Sequence, residues 1–291
     1  MDVAVSGPKF GASSVPTLKQ FLREVTKVVP GPKGGMLYDD WRKSSQSGAD
    51  ADRRPTPDIG GTERVPAAPG KSDVPVGDLG SGSDYTVFLQ HLGVPSSDVS
   101  SSGSYGVYHS AFDNFNWFKN FGDPDFAYEQ EMARVFGLEA IRMADADVLP
   151  YDYEQYGKEI AAYVDAARRK SDATFGGQPP SFAEAIRAAH QFEQAGAKIR
   201  RKQETPGNGA TRLNRALRRA ERALLISDGL PNRPWFRHVI YAPGQYTGYA
   251  AVVIPGVNEA IDKHDLERTR QQIAVLAAAL NRAAKVLEDY R

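Results

Sequence analysis

The stretch LPNRPWFRHVIYAP, Leu230 to Pro243, decides how the second half of the chain is read. Its prolines at 231, 234 and 243 would each break a helical ladder, because proline has no backbone donor and its ring clashes with the preceding turn. Carried on to Pro255, the segment adds Gly244, Gly248, Tyr246 and Tyr249. Trp235 to Pro255 therefore predicts a long ordered loop, reaching back toward the first half, in place of one more helix. On either side the apolar residues recur at helical spacing, over Tyr153 to Arg169, Ser181 to Lys202, Thr211 to Ser227 and His264 to Tyr290. In the last of these Ile273, Leu276, Leu280 and Leu287 fall near one face, among alanines that allow close approach. Four such helices form a bundle most naturally.

Upstream of Pro150 the pattern alternates. Met1 to Ser6 reads as the end of a buried strand, and Pro16 opens a helix carrying Leu18, Phe21, Leu22, Val25, Val28 and Val29. Residues 44–72, rich in Gly, Pro, Ser and Asp, predict a solvated flexible loop. Val74 to Leu79 reads as a short strand, followed by a helix capped by Ser83 or Asp84 and carrying Phe88, Leu89 and Leu92. Tyr105 to Tyr108 gives a second strand signal. Asp125 caps a long helix whose buried side holds Phe126, Met132, Phe136, Leu138, Ile141 and Met143. Strands separated by helices predict an α/β layer over 1–150, followed by an all-α helical bundle over 151–291.

With 291 residues, 41% of them hydrophobic, the chain can bury a substantial core. Lys plus Arg and Asp plus Glu number 36 each, which gives no general attraction to nucleic acid or acidic lipid. The absence of cysteine excludes a disulfide framework, a zinc ribbon and a thiol nucleophile. Ile273 to Leu280, the longest apolar run near the C-terminus, falls far short of the roughly 20 residues that span a bilayer. Gly70-Lys71-Ser72 lacks the earlier glycine of a phosphate loop, and Gly80-Ser81-Gly82 lacks the third glycine of a dinucleotide turn. The basic run from Lys198 to Arg222 has no interleaved aromatics and reads as a solvated helix face.

The segment YGVYHS, Tyr105 to Ser110, places a phenol beside an imidazole, and such a pair can supply a metal ligand and a donor to a developing oxyanion. It stands in a series: DVAVSG at Asp2, LGSGSDYTVFLQHLG at Leu79, DPDFAY at Asp123, VLPYDY at Val148, LPNRPWFRHVIYAP at Leu230 and YAAVVIPG at Tyr249. In that order and spacing the chain resembles the C-terminal portion of the glutamate carboxypeptidase II and transferrin receptor family of zinc exopeptidases. The resemblance covers nearly everything outside 44–72.

The resemblance implies the second half of a peptidase domain over 1–150 and a homodimerisation domain over 151–291. It puts Asp2 at a ligand of one zinc and His109 at a ligand of the other. Tyr108 matches a tyrosine that stabilises the tetrahedral intermediate. Tyr249 matches a tyrosine lining the pocket for the substrate's C-terminal residue, and Gly82 a glycine whose backbone faces the substrate. The bridging aspartate, a further histidine and the Glu-Glu pair carrying the general base are expected before Met1, since no Glu-Glu pair occurs in this sequence. The chain alone is therefore expected to lack peptidase activity and to bind zinc incompletely. Gly248 stands where the family carries a glutamate-binding lysine, and Ser83 where it has an asparagine, so a preference for C-terminal glutamate is not expected. The competing reading is a receptor-like homodimerisation module without catalysis. Either way a homodimer is expected, on alanine surface of the last helix that one bundle cannot bury. The resemblance also implies a parent facing the extracellular or luminal side of a membrane.

Overall fold

The computed structural model describes residues 4–46 and 73–290. It is mostly helical, with two small sheets. β1 (Lys9–Ser14) leads into α1 (Pro16–Thr26), where Pro16 stands at the first turn and needs no amide donor. Leu18, Leu22 and Val25 line the buried side of α1. α2 (Leu37–Gln46) holds Leu37, Tyr38 and Trp41 against β1, with the Trp41 ring edge-on to Phe10 at 5.0 Å. After α3 (Tyr85–Gln90), β2 (Ser97–Ser102) pairs antiparallel with β1, Lys9 opposite Ser102 and Ser14 opposite Ser97.

A single turn, α4 (Phe115–Trp117), runs through one π turn into α5 (Ala127–Ala144). Phe126 holds the N-cap position of α5 without a side-chain bond, and Asp123, not the expected Asp125, accepts from the first-turn amides of Ala127 (3.0 Å) and Glu129 (2.9 Å). Glu131, Met132 and Val135 are the buried residues of this helix, while Ile141 is exposed.

The second half is the expected bundle. α6 (Tyr153–Phe175), α7 (Ala183–Glu204), α8 (Ala210–Arg222) and α10 (Leu266–Glu288) bury a common core, with α9 (Pro255–Asp262) packed on α10. Asp152 and Asp265 cap α6 and α10, each accepting a backbone amide at 2.9 Å. α6 and α7 approach closely through two glycines. A Cβ on Gly157 would lie 2.4 Å from the Glu193 Cα, and one on Gly196 would lie 2.4 Å from the Tyr153 backbone. Between α8 and α9 the chain forms a hairpin of β3 (Tyr241–Pro243) and β4 (Ala251–Val253), Tyr241 opposite Val253.

Two strand expectations are corrected. Val74, Val76 and Leu79 are buried, but their segment makes only an isolated parallel bridge, Gly77 to Ser13, and no strand. Tyr105 to Tyr108 is no strand either: residues 106–109 form a turn closed by Ser110 N donating to Val107 O at 2.9 Å. The strand lies earlier, in serine-rich β2, where partnership with β1 and not intrinsic propensity decides. Of the alanines of α10, Ala277, Ala279, Ala283 and Ala284 are buried within the chain, while Ala274 and Ala278 stay exposed. Of the expected first strand, Ala4 to Ser6 lie parallel to β2 with Ser6 N donating to Ser101 O at 2.7 Å; residues 1–3 lie outside the described residues. So do 47–72 of the expected loop, whose first residues, Ser44 to Gln46, end α2.

Candidate functional site

The two halves are joined by buried polar groups. Lys19 of α1 reaches Glu159 of α6 at 2.7 Å and Asp78 at 3.3 Å, and both Lys19 and Glu159 are buried. The Tyr163 hydroxyl lies 3.0 Å from Asp78, 3.2 Å from Glu159 and 3.0 Å from the Tyr241 hydroxyl. Burial, with the neighbouring carboxylates Asp78 and Glu159, pushes the Tyr163 phenol well above its ordinary pKa and keeps it a donor. Two turns back along α6, Tyr156 donates to Glu221 of α8 at 2.9 Å. His238 meets the same Glu221 oxygen through Nε2 at 3.0 Å, and its Nδ1 accepts from the amides of Ile240 and Tyr241, both at 3.2 Å. An acceptor Nδ1 fixes the ring proton on Nε2. His238 thus holds the proline-rich stretch from inside, as a structural residue.

Fixed in this way, the hairpin between β3 and β4 reaches the loop before α3. Ser81 N donates to Tyr249 O at 2.9 Å, and Arg237 N to Gln90 O at 2.8 Å. The close approach demands glycine twice. A Cβ on Gly80 would sit 1.9 Å from Tyr249 O, and one on Gly82, where φ is +100°, would sit 2.8 Å from the Tyr249 ring. Gly82 and Tyr249, 167 positions apart, thus form one solvent-facing notch, with the Tyr249 side 60% exposed. Ser83 Oγ next to it is shut off from solvent and has no hydrogen-bond partner. Gly80 was not singled out from the sequence as a site residue, although the Gly-x-Gly spacing carries the same steric signal.

Tyr108 and His109 lie elsewhere, in the turn after β2. Their rings stack on each other at 3.8 Å, His109 takes a left-handed φ of 62°, and both side chains are exposed. Tyr105 anchors the turn by donating to Phe121 O at 3.1 Å and meeting Trp117 edge-on at 5.0 Å. Among the described residues no hydrogen bond or ring contact links this pair to Gly82 and Tyr249. Nor do three His, Asp or Glu side chains converge where a metal could be held. Asp2 lies outside the described residues. The described residues do not by themselves fit the zinc pair implied by the resemblance, and no catalytic step is derived through it.

A bundle of long helices closed by a hairpin that folds back over a preceding loop is consistent with a helical dimerisation domain. Residues 180–288 match the transferrin receptor-like dimerisation domain family. Over 99% of its length the chain is 33% identical to a probable glutamate carboxypeptidase of Arabidopsis thaliana, of which it spans 40%. It is 32% identical to a probable glutamate carboxypeptidase of Arthroderma benhamiae, spanning 38% of it, and 26% identical to an aminopeptidase of Rattus norvegicus, spanning 39%. These findings support the glutamate carboxypeptidase II and transferrin receptor family for this chain, as its C-terminal portion. It spans about 40% of the length of the curated relatives it matches. No helix among the described residues is long and apolar enough to cross a membrane.

Proposed function

We propose that this chain is the C-terminal part of a zinc-dependent exopeptidase of carboxypeptidase type, with peptidase-like 1–150 and a homodimerisation domain over 151–291. The observation that carries this reading is the notch of Gly82 and Tyr249, built from both halves and fixed by the Ser81–Tyr249 hydrogen bond. It is a surface on which the terminal residue of a peptide can lie against a phenol ring and a bare backbone. In this reading Tyr108 donates to the oxyanion and His109 and Asp2 each bind one of two zinc ions. The remaining ligands and the general base come from sequence preceding this chain. The whole protein faces the extracellular or luminal side of a membrane.

Assays on dipeptides and N-acyl peptides with added zinc test it. The chain as given is expected to show no turnover. The same chain extended by its upstream coding sequence is expected to show turnover that His109→Ala removes and Tyr108→Phe lowers by about 10²-fold or more. An extended chain that dimerises but never hydrolyses a peptide would favour the receptor-like reading. With Gly248 in place of a lysine, losing a charge-assisted bond of about 1.5–3 kcal/mol, C-terminal Glu is not expected to be preferred over Leu.

A further inference from the structure

Within the segment that matches the dimerisation domain, the large apolar side chains that remain exposed are Trp235, Tyr246 and Tyr249, all on the loop between α8 and α9 and none on a bundle helix. Tyr249 belongs to the notch and Tyr246 stands at the hairpin tip beside Lys263. Trp235 differs, because it continues into a second apolar surface. Its ring stacks on His91 at 5.1 Å and meets Phe236 edge-on at 5.0 Å, and its carbonyl lies 2.8 Å from His91 Nδ1. His91 follows α3 directly; Val87 and Phe88, one helical turn before it, and Leu92, the next residue, are 40%, 49% and 48% exposed, against 43% for Trp235.

We propose that Val87, Phe88, His91, Leu92 and Trp235 form the apolar centre of a two-fold contact with a second copy of this chain. The inference rests on the dimerisation reading above and adds where the contact lies. A two-fold interface uses one self-complementary patch, and its energetic centre is characteristically aromatic and set among polar residues. The four apolar ones, Val87, Phe88, Leu92 and Trp235, present roughly 300 Å² of apolar surface at this size and exposure. That suits the centre of an interface that buries about 800 Å² on each partner. The bundle helices offer no comparable face, since no large apolar side chain of α6, α7, α8 or α10 is exposed. The dimer therefore recruits α3, outside the matched segment, through its ring stack with Trp235.

Sedimentation of the 291-residue chain at micromolar concentration tests this, comparing wild type with Trp235→Ala, Phe88→Asp and, as a control on the other exposed aromatic surface, Phe112→Asp. A dimer in the wild type and in Phe112→Asp, with at least tenfold weaker association in the other two at unchanged circular dichroism, is the expected result. A monomeric wild type would overturn the dimerisation reading and this surface with it. A dimer that survives Trp235→Ala and Phe88→Asp, or is lost in Phe112→Asp alone, would overturn this surface and leave dimerisation standing. Because the chain has no cysteine, Leu92→Cys gives a second readout that does not need the truncated variants to fold. Covalent dimers should form on mild oxidation with Leu92→Cys and not with Ser104→Cys; the reverse pattern would sink the assignment.

Discussion

In the helical half, no large apolar side chain of α6, α7, α8 or α10 is left in solvent. Between Gly103 and Phe126 of the first half, Tyr105, Tyr108, Phe112, Phe115 and Phe121 all stand exposed, Phe112 at 73%. The bundle satisfies itself in its apolar residues: its helices meet face to face and its loops turn back onto it. The first half buries its apolar residues in two ways. Val15, Leu18, Leu79, Tyr85 and Leu89 join the bundle's own core, while Phe10, Leu22, Trp41, Val99 and Met132 make a second, smaller cluster. Where neither support reaches, the aromatics stay outside. Stability in this chain therefore follows from contact with the bundle, and the candidate catalytic pair Tyr108 and His109 lies in the part with the least of it.

The largest expected effect sets the same change in the two regions side by side. Leu280→Asp buries a charge among α7, α8, α9 and α10 and should cost more than about 4 kcal/mol, enough to unfold the chain. Phe112→Asp should move stability by no more than about 0.5 kcal/mol. Urea unfolding followed by circular dichroism measures both; similar losses would erase the contrast.

Next comes the join. Lys19→Met leaves Glu159 and Asp78 without their cation and should cost about 3 kcal/mol, much of it regained in the double variant Lys19→Met/Glu159→Leu. If Lys19→Met is silent, the halves are held by packing alone. Smaller still, His238→Ala strips an acceptor from the amides of Ile240 and Tyr241 and a donor from Glu221, costing about 2 kcal/mol. Hydrogen exchange at those two amides should accelerate, and unchanged protection would mean that the proline-rich stretch is fixed from elsewhere.

Last, and smaller per group, is a pH dependence arising in α5. Burial, reinforced by Asp40, pushes the Glu131 carboxyl up to about 7, and burial raises Glu139 to about 7 as well. A carboxyl whose folded pKa is raised binds more protons folded than unfolded. Its contribution is full below about pH 4.5 and is lost as pH rises through 7. The first half should thus be more stable at pH 5 than at pH 8, by about 1–2 kcal/mol per group. Glu131→Gln should flatten part of that slope, and an unaltered slope would show that the carboxyl is solvated.

The helices of the second half were legible because each buries one broad stripe, so that spacing alone locates Tyr153, Tyr156 and Ile160 on one face and Ile273, Leu276 and Leu280 on another. Their starts were less so: α7 begins at Ala183 without a side-chain cap, and α9, only eight residues long with Pro255 at its head, fell between the expected loop, which ended at Pro255, and the expected last helix from His264. The strands were not legible. SDVSSS has one β-branched residue, and only its register with β1, together with Ser101 Oγ donating to Gly7 O at 2.6 Å, makes it a strand. YGVYHS has the better composition but meets no backbone to pair with, so it folds into a turn.

By itself the sequence determined the helical half, the non-helical nature of the proline-rich stretch and the family resemblance, because these depend on local spacing and on side chains whose order along the chain is enough. Only the tertiary structure decided which distant residues meet. Gly82 meets Tyr249 because His238 and Tyr241 are fastened beneath the hairpin, and four of the α10 alanines, Ala277, Ala279, Ala283 and Ala284, join the core because neighbouring helices close over them. The physical reason is range. Helical periodicity is written within a few residues, whereas a notch or a buried ion pair between positions far apart exists only once the whole core has fixed both backbones.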